Sequence, residues 1–275
     1  MERFRAKKSM GQNFLVDGNV LARIVEAVDL AAGDRVLEIG PGRGALTSLL
    51  VKRAEQVLAV ELDRQLVPLL EKEFSSSDNV EFVQGDILRI ELPVVLGSRW
   101  SGRWKVAANL PYNISSQVIF KFLDNVSLFS SLVLMLQKEV GDRLIASPGT
   151  KDYGILSVFC NLHFDVSRVL IVRPGSFRPI PKVDSVVLKF VPLPAPRQDV
   201  GDEALFRQVV KAGFGQRRKT LINCLKSAGI AGSSDINDIL CRAGIDGGRR
   251  GETLSLEEYA RLTKEIMHAQ KQGMF

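Results

Sequence analysis

Hydrophobic positions fall first at helical spacing and then gather into short runs. Val20, Leu21, Ile24, Val25 and Val28 lie three and four residues apart, which predicts an amphipathic helix over Val20–Val28, closed by Ala31-Ala32-Gly33-Asp34. Five apolar runs that read as strands follow at Arg35–Ile39, Gln56–Val60, Val80–Val83, Trp104–Ala108 and Leu132–Leu136. Between them, helical spacing recurs over Ala45–Arg53, Gln65–Phe74 and Ile114–Leu123. Strands alternating with helices of this length predict parallel βαβ units with right-handed crossovers, an α/β architecture.

Past Leu136 the pattern changes. Tyr153–Phe164 fits either period, and its length and Gly154 favour a helix. Val166–Val172 and Ser185–Val191 are β-rich runs separated by Arg173–Lys182, a stretch too rich in proline for regular structure and too long for a hairpin turn. Pro192, Pro194 and Pro196 punctuate the exit from the last run, and from Asp202 onward the pattern is helical. The expected organisation is a basic arm over residues 1–12, an α/β domain over 13–196 and a helical domain over 197–275.

Composition adds a core and a charge distribution. A chain of 275 residues with 45% hydrophobic content can bury a large α/β core beside a smaller domain. It has no run of eighteen apolar residues, and Met1–Gln12 is basic and polar, so a cytoplasmic protein without a membrane segment is expected. Three unpaired cysteines and two histidines offer no zinc cluster, and no metal is expected. Half of the net charge of +6 lies in Met1–Gln12 and half in Arg197–Phe275, with a neutral body between them. A polyanion held from two sides, nucleic acid being the usual one, fits that distribution.

The candidate chemistry sits at strand ends. Asn109-Leu110-Pro111-Tyr112 follows the fourth strand, at the edge where open α/β sheets bind ligands. Pro111 fixes its own φ and biases Leu110 toward an extended backbone. The Asn109 amide oxygen and a neighbouring carbonyl can then grip both hydrogens of an amino group, while Tyr112 offers a face to a flat base. Gripped in this way, the exocyclic amine of adenine becomes more pyramidal and able to attack an electrophilic methyl. Gly40-x-Gly42-x-Gly44 lets a ligand approach the backbone, and Glu61 is placed for ribose hydroxyls. That much fits nicotinamide or flavin nucleotides as well as S-adenosylmethionine. Asp86, able to accept from an adenine amino group, and the lack of a histidine near these strand ends favour S-adenosylmethionine. Read singly, Asn109–Tyr112 is an ordinary turn and Asp86 a capping acid.

Two further features fit a nucleic-acid substrate. Phe177 stands among Arg173, Arg178, Lys182 and several prolines, either as a small core plug or as an aromatic face opposite Tyr112 that sandwiches a flipped base. Arg217, Arg218 and Lys219 are expected to open a helix beginning at Phe214, with Arg249 and Arg250 as a second basic point before a last helix over Ser255–Met267. Such runs are either solvated faces or RNA contacts, and the end-loaded charge favours RNA.

Five stretches together resemble the KsgA family of ribosomal RNA adenine dimethyltransferases. They are Gly11–Leu15, Glu38–Gly44, Asn109–Ser115, Phe177-x-Pro179-x-Pro181-Lys182-Val183 and Arg217–Leu221. Ser116-Gln117 stands where the family pattern has Thr-Pro. The resemblance implies a class I, Rossmann-like methyltransferase sheet of seven strands followed by a small all-helical RNA-binding domain. It implies dimethylation, from S-adenosylmethionine, of N6 on two adjacent adenosines in the 3′-terminal hairpin of 16S rRNA, with a part in assembly of the small ribosomal subunit and a monomeric enzyme. It also implies that Asn13, Leu15, Gly40, Gly42, Glu61, Asp86 and Asn109 contact the cofactor and that Asn109, Leu110, Pro111, Tyr112 and Phe177 handle the target base. Resistance methyltransferases of the large-subunit RNA and mitochondrial transcription factors share most of these motifs.

Overall fold

The computed structural model describes residues 12–216, 218–230 and 236–272; the basic arm up to Gly11 and Arg217 lie outside them. A two-residue strand, β1 (Phe14–Leu15), leads into helix α1 (Gly18–Val28). The Asp17 carboxylate caps α1 by accepting from the Asn19 and Val20 N–H groups, so the helix starts two residues before its apolar stripe. All five residues of that stripe are buried, and the helix stops at Asp29 in the left-handed region.

Strands and helices then alternate as β2 (Arg35–Ile39), α2 (Thr47–Leu50), β3 (Gln56–Glu61), α3 (Val67–Glu73), β4 (Val80–Gln84), α4 (Leu92–Gly97), β5 (Trp104–Asn109), α5 (Ser115–Leu123) and β6 (Phe129–Gln137). Helix α2 is shorter than its apolar pattern because Gly44, at φ +77°, keeps the chain in turns as far as Leu46. After α6 (Lys138–Leu144) and α7 (Ile155–His163) come β7 (Phe164–Val172), β8 (Phe177–Arg178) and β9 (Ser185–Pro192). The proline-rich stretch is thus not wholly irregular. Its Phe177-Arg178 pair forms β8, antiparallel to β1, with Leu15 opposite Phe177.

The seven-stranded sheet runs β4-β3-β2-β5-β6-β9-β7. β2 is parallel to both β3 and β5, β6 is parallel to β5, and β9 alone pairs antiparallel with β6. The chain leaves β2 toward β3 and β4 on one side and returns to β5 on the other. The carboxyl ends of β2 and β5 therefore flank the switch point, where a parallel sheet leaves a crevice.

By contact density the chain forms two units. One holds the described residues up to Gly141 together with Asp165–Pro192; the other holds Asp142–Phe164 and the described residues from Leu193 onward. The second unit contains α7 and the helices α8 (Glu203–Phe214), α9 (Leu221–Ser227), α10 (Ile236–Arg242) and α11 (Leu256–Lys271). Asp142–Phe164 groups with the tail helices. Phe159 packs on Phe206 and Tyr153 on Phe214, so α7 belongs to their core. The cations at 218 and 219 do not open a helix: they lie between α8 and α9, and the Lys219 N–H donates to the Gln216 carbonyl.

Candidate active site

The crevice is an open cleft of about 900 Å³, counted out to solvent, lined by residues 12–15, the glycine loop, the ends of β2 and β3, and Asn109–Tyr112. Each wall follows from local sequence. Gly40 and Gly42 have φ of +67° and +60°. A Cβ on Gly40 would meet only the Asn109 carbonyl, at 3.9 Å, and would stand in the open cradle. A Cβ on Gly42 would strike the Phe14 ring at 2.9 Å, so glycine there lets the segment 12–15 close over the loop.

Glu61 fixes the loop from below. Its Oε2 accepts from the Gly42 N–H at 3.1 Å and its Oε1 from the Asp63 N–H at 2.8 Å. Burial raises the Glu61 pKa and these two backbone donors oppose the rise. The carboxylate keeps acceptor capacity for hydroxyls of a ligand. Asp63, itself buried, accepts from the Gln12 side chain at 3.1 Å and so ties the covering segment to the end of β3.

Asn109 ends β5 with its Nδ2 donating to the Asn13 carbonyl at 3.1 Å. An amide turned the other way would set two oxygens together, so the carbonyl fixes which end faces it and turns Oδ1 away. Leu110 continues the ladder through its N–H to the Met135 carbonyl, and the Pro111 carbonyl accepts from the Ile114 N–H. The Leu110 carbonyl is left as the candidate second acceptor. Half-buried Tyr112 is anchored by a 2.6 Å hydrogen bond between its hydroxyl and that of Ser185, and burial raises its pKa.

The structure departs from the sequence reading at three positions. Phe177 is completely buried opposite Leu15, in the core cluster that includes Leu21 and Ile24, because pairing with β1 turns its ring into the core. The core-plug reading describes it, and no face is presented opposite Tyr112. Asp86 does not line the cleft as shaped here; its Oδ1 accepts from the Leu88 N–H at 2.9 Å and caps the turn after β4. Arg249 is not a free cation. Its guanidinium binds both Glu258 oxygens and the Thr253 carbonyl, within the unit formed by the tail, and an arginine fork filled by a carboxylate has little left for phosphate. Arg218, Lys219 and Arg250 are exposed, and Arg173 pairs with Asp184 at 2.7 Å.

Sequence reasoning gave no role to Glu38. It is 1% exposed at the cleft, with no hydrogen-bond partner for Oε2 among the described residues. Burial, opposed by the neighbouring Thr47 and reinforced by the charge of Glu61, pushes its pKa up to about 8. The available signal was a carboxylate inside the apolar run Val36–Ile39, directly before Gly40. Two desolvated carboxylates in one cleft favour a ligand that carries positive charge and hydroxyls.

The sequence matches the description "Ribosomal RNA adenine dimethylase" over residues 3–268. This chain belongs to that family. Its activity is S-adenosylmethionine-dependent dimethylation of adenine in ribosomal RNA. The chain is 61% identical to ribosomal RNA small subunit methyltransferase A of Geobacter metallireducens, over 97% of each sequence. It is 51% identical to the protein of the same name from Syntrophotalea carbinolica, over 95% of this chain and 97% of that one. Among solved structures, a dimethyladenosine transferase from Plasmodium falciparum superposes with a TM-score of 0.79 at 26% identity, covering 94% of this chain and 98% of that one. The 23S rRNA methyltransferase ErmE gives 0.68 at 26% identity, covering 93% and 100%. The cleft of this dimethylase fits S-adenosylmethionine: the Gly40 cradle admits a close ligand, and Glu38 and Glu61 suit a cation with ribose hydroxyls.

Proposed function

We propose that this enzyme methylates N6 of two adjacent adenosines in the 3′-terminal hairpin of 16S rRNA, within the small ribosomal subunit. The relatives' shared name supports the small-subunit assignment. The observation that carries the chemistry is the Asn109 amide held by the Asn13 carbonyl, which turns Oδ1 away from the backbone as an acceptor. S-adenosylmethionine supplies an electrophilic methyl group when bound. Asn109 Oδ1 and the Leu110 carbonyl accept the two N6 hydrogens and draw the nitrogen lone pair out of conjugation. Tyr112 supports the base. Gly40, Gly42, Glu61, Asn13 and Leu15 hold the cofactor, and Asp86 offers it the oxygen that does not cap the turn after β4.

Arg218, Lys219 and Arg250 meet RNA phosphates in this reading; Arg217 and the basic arm, which carry the same expectation from the sequence, lie outside the described residues. The protein works as a cytoplasmic monomer that also takes part in subunit assembly. Among the described residues no helix is long and apolar enough to cross a membrane. The deciding experiment is transfer of a labelled methyl from S-adenosylmethionine to purified small-subunit particles, followed by nucleoside identification. N6,N6-dimethyladenosine in the 16S rRNA is expected. No label in the small-subunit particles, with label entering large-subunit particles offered in a parallel reaction, would overturn the assignment.

A further inference from the structure

We infer that Ser185 is a positioning residue for the methyl transfer, acting through the Tyr112 ring. The inference rests on the reading of Tyr112 as the support for the target base. Ser185 is the first residue of β9 and lies opposite Gln137 of β6, so the sheet ladder fixes its backbone. Its side chain is fully buried, where a hydroxyl without a partner is costly, and its partner is the Tyr112 hydroxyl at 2.6 Å. The other end of Tyr112 is also held: its carbonyl accepts from the buried Ser115 hydroxyl at 3.2 Å, at the start of α5. The ring therefore spans two fixed points, one on β9 and one at the β5–α5 turn. Without the Ser185 hydroxyl only the backbone end is fixed, and rotation about χ1 moves the face on which a base would rest. Alignment of the base with the acceptors at Asn109 would then be lost in a fraction of encounters, at no cost to the cofactor side of the cleft.

The test uses the full-length protein with S-adenosylmethionine and small-subunit particles, comparing Ser185→Ala, Tyr112→Phe, the double variant and Tyr112→Ala. Loss of one such hydrogen bond corresponds to about a fivefold fall in kcat. The expected result is that fall in each conservative single variant, with cofactor Kd unchanged and the double variant no worse than either single one, because both remove the same bond. Unchanged kcat in Ser185→Ala, or losses that multiply in the double variant, would overturn the inference while leaving the platform role intact if Tyr112→Ala is inactive. Full activity in Tyr112→Ala would overturn the platform reading itself. Should Ser185→Ala fail to fold, Tyr112→Phe removes the bond from the half-buried side, and full activity there overturns the inference.

Discussion

Asn109 and Asn13 are joined across 96 residues of chain by one hydrogen bond, from the Asn109 side-chain amide to the Asn13 backbone carbonyl at 3.1 Å. The bond couples the segment that covers the cleft to the amide that faces the reacting amine. Asn109→Ala is expected to lower methylation roughly a hundredfold, since losing one preorganised partner in a site of this kind costs about 3 kcal/mol in the barrier. Cofactor binding should weaken but stay measurable. Asn109→Asp should do worse on both counts, because a carboxylate oxygen would oppose the Asn13 carbonyl and push the covering segment away. Calorimetric cofactor titration beside single-turnover methylation distinguishes the variants; a cofactor affinity in Asn109→Ala equal to the parent's would show that the bond does not hold the segment.

Phe177 is now expected to behave as core. Its ring is completely buried, in a core cluster that also holds Leu15, Leu21 and Ile24. A buried Phe→Ala change costs about 3 to 5 kcal/mol, and Phe177→Trp should destabilise as well by overpacking. Both variants should melt well below the parent, with any loss of methylation following the loss of fold. An unchanged melting temperature together with lost methylation in Phe177→Ala would instead restore a stacking role, through a conformation in which the ring leaves the core.

The sheet and the catalytic turn were legible in the sequence because their signals are local. Apolar runs mark Arg35–Ile39 and Trp104–Ala108, and Pro111 and Gly40 restrict or free the backbone whatever surrounds them. What escaped was pairing over long distances. The burial of Phe177 is decided by β1, more than 160 residues earlier, through a two-residue ladder that no periodicity can announce. Arg249 looks like a free cation until the fold sets it against Glu258, nine residues on, at the first turn of α11. Ser185 reads as a strand residue, and only the sheet order brings its hydroxyl to Tyr112.

Glu38 gives the ligand-free protein a distinctive pH dependence. Its folded pKa of about 8 lies above its ordinary value of 4.5, so between those limits the folded state binds more protons than the unfolded state. Stability should therefore fall as pH rises through that window and level off above it. A cationic ligand favours the ionised carboxylate, so cofactor affinity should rise as pH approaches about 8 and level off above it. Glu38→Gln should flatten both slopes, apart from the contribution of Glu61, which has the same sign. Melting curves and cofactor titrations from pH 5 to 9 test this, and an unaltered slope in the Gln variant would remove Glu38 as its source.

Two basic points in the tail should separate cleanly by experiment. Arg249 binds both oxygens of Glu258, and Glu258 also closes the capping box of α11 through the Ser255 N–H. The Arg249 guanidinium lowers the Glu258 pKa, so this brace is present above the ordinary carboxylate range and lost as pH falls through the depressed value. Arg249→Ala should lower the melting temperature at neutral pH, and the difference from the parent should shrink in acid. Arg218 and Lys219 are exposed in the link between α8 and α9, so changing both to Ala should leave melting unaltered. Their loss should instead weaken binding to small-subunit particles and flatten its salt dependence by about 0.7 to 0.9 log units per phosphate contact removed. If the double Ala variant keeps the parent's salt slope, these two cations are a solvated face and the RNA contact must be sought elsewhere on the chain. If Arg249→Ala melts like the parent but loses the slope, Arg249 reaches phosphate by releasing Glu258, and the brace is an exchangeable one.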